Sequence, residues 1–136
     1  MENLLAGKRI FIVEDKLANR MIFKTLLERH GAIVIFDNWG NETSEKLNAA
    51  QPIDLIIMDL MLPGRLTGYE VVVDLRKRSV MGTIPIVAVS AADPSEAIPK
   101  AREHGFDGFI SKPIDFVLFP QQLRQLLDKQ QVWHSA

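Results

Sequence analysis

Four apolar residues and an acid, Leu55-Ile56-Ile57-Met58-Asp59, followed by Leu60-Met61-Leu62-Pro63-Gly64, constrain this chain more than any other stretch. An unbroken apolar run bounded by turn residues suits a strand covered on both faces, as in the middle of a parallel sheet. The C-terminal end of such a strand opens into the crevice where open α/β sheets hold their ligands. Asp59 therefore stands where a carboxylate can do chemistry, with a Pro-Gly turn behind it.

The flanking sequence repeats the pattern. Arg9-Ile10-Phe11-Ile12-Val13 is a β-branched and aromatic run that stops on Glu14-Asp15. Leu17, Met21, Ile22, Leu26 and Leu27 recur at helical spacing, with Gly31 as the C-cap. Ala32-Ile33-Val34-Ile35-Phe36 forms a second strand, residues 37–40 a turn, and residues 41–50 an exposed helix with Leu47 inward. Pro52 and Asp54 lead into the central strand. Beyond a loop at 63–67, a helix over about 68–79 buries Val71, Val72 and Leu75. Pro85-Ile86-Val87-Ala88-Val89 is a fourth strand ending on Ser90-Ala91-Ala92. Phe109-Ile110 is a short fifth, followed by Ser111-Lys112-Pro113. Pro120 suits the first position of a last helix whose core face is Leu123, Leu126 and Leu127. Residues 93–104, between the fourth and fifth strands, are helical by composition and end at Gly105. Five strands alternating with five helices predict an α/β fold, a parallel sheet with helices on both faces.

A length of 136 residues, 47% of them hydrophobic and 24% charged, fits one soluble domain with a real core. We expect it at 7–131, with 1–6 and 132–136 as short tails and no output domain. A net charge of −1 gives no general attraction to nucleic acid or anionic membrane. The absence of cysteine excludes disulfides, thiolate zinc sites and cysteine nucleophiles. No apolar run reaches the roughly 18 residues of a membrane span, and the first residues do not read as a signal peptide. A cytoplasmic location is expected.

Glu14 and Asp15, Asp59, Ser90 and Lys112 each follow a strand, and in a parallel sheet those ends share one edge. Three carboxylates there repel: at about 4 Å and an effective dielectric near 20, each pair costs about 4 kcal/mol. Protons or a cation must relieve this. An oxygen-only donor set suits a hard divalent ion such as magnesium. A lysine and a hydroxyl beside that ion describe a site for a transferred phosphoryl group, its oxygens neutralised by cation and ammonium. Asp59 is the acid best placed to attack. Singly, each residue has a plainer reading: a surface turn for the acid pair, a loop lysine, a turn-forming serine, a core phenylalanine at 109. Their joint placement favours the chemical one. His30 and His104 close helices, where positive charge is welcome, and His134 falls in the tail; all three read as structural. Trp39 and Trp133 read as caps over apolar surface.

Ile12-Val13-Glu14-Asp15, Met58-Asp59-Leu60-Met61-Leu62-Pro63, Val89-Ser90-Ala91 and Ser111-Lys112-Pro113-Ile114, in this order and each at a strand end, resemble a response-regulator receiver domain of bacterial two-component signalling. The resemblance runs nearly end to end and is greatest to chemotaxis-regulator-like, stand-alone regulators. It implies a flavodoxin-like (βα)5 three-layer sandwich with strand order 2-1-3-4-5. It also implies Asp59 as the phosphoacceptor, served by a histidine kinase or histidine phosphotransfer protein, in a domain that catalyses its own phosphotransfer and dephosphorylation without being an enzyme on other substrates. Magnesium, or manganese, would be held by Asp15, Asp59 and the Met61 backbone carbonyl, with Glu14 acting through water. Lys112 would contact the phosphoryl group, Ser90 would be the switch hydroxyl, and Phe109 the aromatic whose rotamer reports the state. Output would pass to a downstream protein through the face of the fourth helix, fifth strand and fifth helix, with no direct contact to nucleic acid or membrane. A cis bond is expected at Lys112-Pro113, where the chain must bend to bring the lysine over Asp59.

Three features depart from that pattern. The loop between Asp59 and Gly68 is one residue longer, with Arg65 in the insertion; Lys16 adds a charge beside the acid pair; and Pro99 falls inside the fourth helix. Asp93-Pro94-Ser95-Glu96 reads as a capped helix start, but Pro99 would remove a bond to the Ser95 carbonyl at about 3 kcal/mol. The expectation is therefore a late start near Ile98 or Pro99. Other functions fit less well. A nucleotide-binding enzyme needs a glycine-rich loop after the first strand, where Lys16-Leu17-Ala18 stands. A haloacid-dehalogenase-type phosphatase needs an acid at Met61. A pseudo-receiver, docking without phosphorylation, would lack one of the five site residues.

Overall fold

The computed structural model describes residues 3–37, 43–61, 67–77 and 82–134. Its elements are β1 (Arg9–Val13), α1 (Leu17–Arg29), β2 (Ile33–Asp37), α2 (Thr43–Ala50), β3 (Leu55–Met58), α3 (Gly68–Arg76), β4 (Ile86–Ser90), α4 (Pro94–Glu103), β5 (Gly108–Ser111), α5 (Leu118–Leu127) and β6 (Val132–His134). All strand pairs are parallel, in the order β2-β1-β3-β4-β5-β6. The expected five-strand order stands, with a sixth strand added beside β5. The turn at Pro63-Gly64, Arg65 and the longer loop, Trp39, and the outer ends of the second and third helices lie outside the described residues.

The unbroken apolar runs have the predicted cause. Along each central strand, side chains alternate between two separate cores. Phe11, Val13, Ile56, Met58, Ile86, Ala88 and Phe109 face α2, α3 and α4, meeting Leu47, Val71, Leu75 and Ala101. Ile10, Ile12, Leu55, Ile57, Val87, Val89 and Ile110 face α1 and α5, meeting Phe23, Leu27, Phe119 and Leu123. With both faces dry, only the strand ends are free for polar work. The amino-terminal edge is closed by two arginines. Arg9 donates to the carbonyls of Pro52 and Ala50 at 2.7 and 2.9 Å. Arg76 donates to those of Gly82, Ile84 and Gly105, and pairs with Asp107 at 2.6 Å. The carboxyl edge is left for the site.

Four sequence expectations need correction. The buried stripe of α1 is Phe23, Leu26 and Leu27, while Leu17 (71% exposed), Met21 and Ile22 face outward. The helix carries apolar residues on two adjacent faces, so spacing alone does not say which one packs. Next, α5 begins at Leu118, so Pro120 is third in the helix. It remains in the first turn, where a missing N–H is tolerated, and Asp115 caps the end by accepting from Val117 and Leu118 N–H at 2.8 and 2.9 Å. Third, residues assigned to tails are part of the fold. Leu5 is fully buried, its N–H bonded to the His30 carbonyl, and Val132–His134 pair along β5.

The fourth correction is α4, which starts at Pro94 and not near Pro99. Asp93 accepts from both the Ser95 N–H (3.0 Å) and hydroxyl (2.9 Å), and its carbonyl takes the Ala97 N–H at 2.8 Å. Ser95 and Pro99 are both exposed, whereas Ala97 and Ala101 are buried. The carbonyl that loses its donor therefore belongs to an exposed residue, where solvent can take the place of the bond. Pro99→Ala should restore it, stabilising the protein by about 1–2 kcal/mol after the entropy regained by the unfolded chain is counted. Thermal unfolding should show a rise of several degrees; no rise would mean the Ser95 carbonyl is already fully satisfied.

Candidate functional site at the carboxyl edge of the sheet

Glu14 directly follows β1 and is 1% exposed. Its Oε2 accepts from the Lys16 N–H at 3.1 Å and its Oε1 from Lys112 Nζ at 3.1 Å. Its carbonyl takes the Arg20 Nε–H at 2.8 Å. Lys16, expected only as an added charge, thus also holds Glu14 through its backbone at the start of α1.

Asp59 follows β3 and is 9% exposed. Its amide donates to the Val13 carbonyl at 3.3 Å, which ties the ends of β1 and β3 together. Oδ1 accepts from the Met61 N–H at 3.0 Å, and Oδ2 from Lys112 Nζ at 3.2 Å. Gly68 lets α3 begin against this residue: a Cβ at that position would stand 2.6 Å from the Asp59 carbonyl oxygen. Thr67 and Glu70 close the helix start with a reciprocal capping box.

Lys112 follows β5, across a cis bond to Pro113 as expected, and its N–H donates to the Ser90 carbonyl at 3.0 Å. Ser90 is buried at the end of β4, its Oγ accepting from the Ala92 N–H at 3.2 Å. One ligand oxygen from each of Glu14, Asp15 and Asp59 can lie within 4.8 Å of the others. Asp15 has no hydrogen-bond or ion-pair partner among the described residues. Glu14, Asp15, Asp59 and Lys112 thus come together, with Ser90 tied to the lysine backbone. Phe109 is not among them. It is fully buried below the edge, in the core facing α2, α3 and α4.

Burial opposes the charge on Lys112, but Asp59 and Glu14 outweigh it and raise its pKa above the usual lysine value. A group raised on folding stabilises the native state fully below its unfolded pKa, and that contribution disappears as pH climbs through the folded one. Lys112→Met should therefore cost about 2–3 kcal/mol, since it leaves two buried carboxylates facing each other. Denaturant titrations should find this difference flat through neutral pH and shrinking above about pH 10.4. A loss that varied across neutrality would refute the assignment.

One feature was misread in the sequence. Met21, Ile22 and Phe116 (60% exposed) line one apolar surface between α1 and the segment after β5. It contains a groove of about 450 Å³ whose lining includes Ile22, Phe116, Pro113 and Lys112. The available signal was the pair of apolar residues Phe116-Val117 after the fifth strand, to which the sequence reading assigned no role.

Residues 10–128 match a family model described as the response regulator receiver domain. The polar-differentiation response regulators DivK of Brucella ovis and Brucella abortus are 32% identical over 120 residues, covering 88% of this chain and 96% of theirs. Among solved structures, the Vibrio cholerae chemotaxis protein CheY4 superposes with a TM-score of 0.81 at 25% identity, covering 89% of this chain and 99% of that one. The signal receiver domain of a signal transduction histidine kinase from Syntrophus aciditrophicus gives 0.80 at 28% identity, covering 90% and 92%. Fold, edge geometry and these likenesses agree: the chain belongs to the response regulator receiver domains.

Proposed function

We propose that this domain accepts a phosphoryl group on Asp59 from a phosphohistidine and signals by the resulting change in shape. The observation that carries the reading is Lys112, which reaches Glu14 and Asp59 at once from 98 and 53 residues away in sequence. In the transfer, an Asp59 carboxylate oxygen forms a bond to phosphorus as the bond to the donor's histidine nitrogen breaks. Lys112 turns its ammonium toward the transferred oxygens, and the Ser90 hydroxyl, which now only accepts, has its hydrogen free to donate. Attack of water on the same phosphorus would return Asp59 to a carboxylate.

A divalent ion fits the residues present. The donors are all oxygen, one ammonium pairs with two of the three carboxylates, and Asp15 has no ion-pair partner among the described residues. Asp15, Asp59 and the Met61 carbonyl would hold magnesium or manganese, with Glu14 acting through water. When bound, the ion supplies charge neutralisation for the transferred oxygens.

The groove beside α1 supports a protein donor. Its lining runs from Ile22 and Phe116 to Lys112, so a surface carrying phosphohistidine above Asp59 must also lie on these apolar residues. This favours a histidine kinase or histidine phosphotransfer protein over a free small molecule. Among the described residues no helix is long and apolar enough to cross a membrane.

Small phosphodonors, or beryllofluoride with magnesium, should modify wild-type protein at Asp59 alone, and Asp59→Asn should remove the modification with folding intact. Label persisting in that variant would put the modification on another residue, and none in the wild type would leave a domain that docks without phosphorylation. Magnesium at 100 times its dissociation constant should stabilise the fold by about 2.7 kcal/mol. Asp15→Asn should raise stability in chelator and abolish the gain with magnesium. A normal magnesium response in Asp15→Asn would mean the ligand is misassigned.

A further inference from the structure

β6 is three residues long, yet separate features hold it on β5. Gly108, Phe109 and Ile110 pair with Val132, Trp133 and His134, and the Val132 amide donates to the Asp107 carbonyl at 3.2 Å. Gly108 makes room for the strand: a Cβ there would stand 2.5 Å from the Val132 carbonyl oxygen and 3.3 Å from the side chains of Leu126 and Val87. Any larger residue would push β6 away. Trp133 lies 4.5 Å from the Arg102 guanidinium, so α4 grips it. The indole also packs on the core that contains Phe109, its paired residue in β5. Trp133 therefore stands between Phe109 and the edge of the sheet. On its other flank α4 is held by Lys100, 4.5 Å from the Tyr69 ring.

We infer that β6 is an intramolecular latch. It holds Phe109 in the core and covers the β5 edge, and loading of Asp59 releases it. The inference rests on the phosphoacceptor reading, because β5 runs directly into Lys112. That ammonium is shared between Glu14 and Asp59. A phosphoryl group on Asp59 adds negative charge to one of the two partners and draws the lysine, with the end of β5, toward it. On one side β5 is paired with β4 in the middle of the sheet; on the other it holds only the three residues of β6. A shift in β5 is taken up where least apolar contact opposes it, at the edge strand.

Amide hydrogen exchange on the full chain tests this. Beryllofluoride with magnesium, with loading read from the resonances of Asp59 and Met61, should speed exchange of residues 132–134 by about tenfold or more, leaving β1 and β3 unchanged. Trp133→Ala should open β6 to the same extent without loading. Gly108→Ala reaches the same state from the other side of the contact, and exchange in β1 and β3 reports whether each variant stays folded. Loading at Asp59 with β6 as protected as before would overturn the latch and leave the phosphoacceptor reading standing. No loading at all would overturn both. Folded Trp133→Ala and Gly108→Ala proteins with unchanged protection in β6 would likewise overturn the latch.

Discussion

One ammonium set between two nearly buried carboxylates is the contact on which the working end of this molecule depends. Lys112 reaches Glu14 at 3.1 Å and Asp59 at 3.2 Å. Gathering three acids at one edge is unfavourable, and one cation does not cancel them. The deficit has to be borne by the rest of the fold, which explains why the edge is backed by two dry cores and why the opposite edge is tied by Arg9 and Arg76. The residual negative charge is also what would draw a divalent ion to the proposed site. Stability and chemistry are opposed here, and the compromise lies in one side chain.

The parts legible in the sequence are those where one physical demand acts alone. Leu55–Met58 is apolar throughout because both faces are covered, and nothing else in the chain competes with that reading. The site residues were legible because a parallel sheet brings its carboxyl ends together whatever their separation in sequence. Glu14, Asp15, Asp59 and Lys112 therefore converge as expected. Errors arose where two demands met in one segment. In α1, core packing and an exposed apolar face share thirteen residues, and helical spacing alone does not separate Leu17 and Met21 from the buried Leu26 and Leu27. In α4, the cap at Asp93 and the defect at Pro99 pull in opposite directions. The cap wins because water can serve the exposed side of the defect.

β6 was illegible for a different reason. Three residues carry no period, and Val-Trp-His ahead of the chain end looks like a frayed tail. Its signal lay elsewhere, in Gly108, which is small because the Val132 carbonyl passes close to it. The partner strand, not the strand itself, carried the information.

The same arrangement divides the surface of the domain in two. Beside the site, the groove along α1 includes Lys112 in its lining, so a donor docked there, as proposed, would be in register with the chemistry. On the other flank, β5 is covered, and Phe109 is enclosed by Trp133 from the edge and by the core from below. The two flanks meet at the short segment from Phe109 to Lys112, with one apolar ring and one charge at its ends. On the proposed reading Asp59 would act on the charge, and the ring is what the edge strand covers. The far end of that segment is held by the added strand.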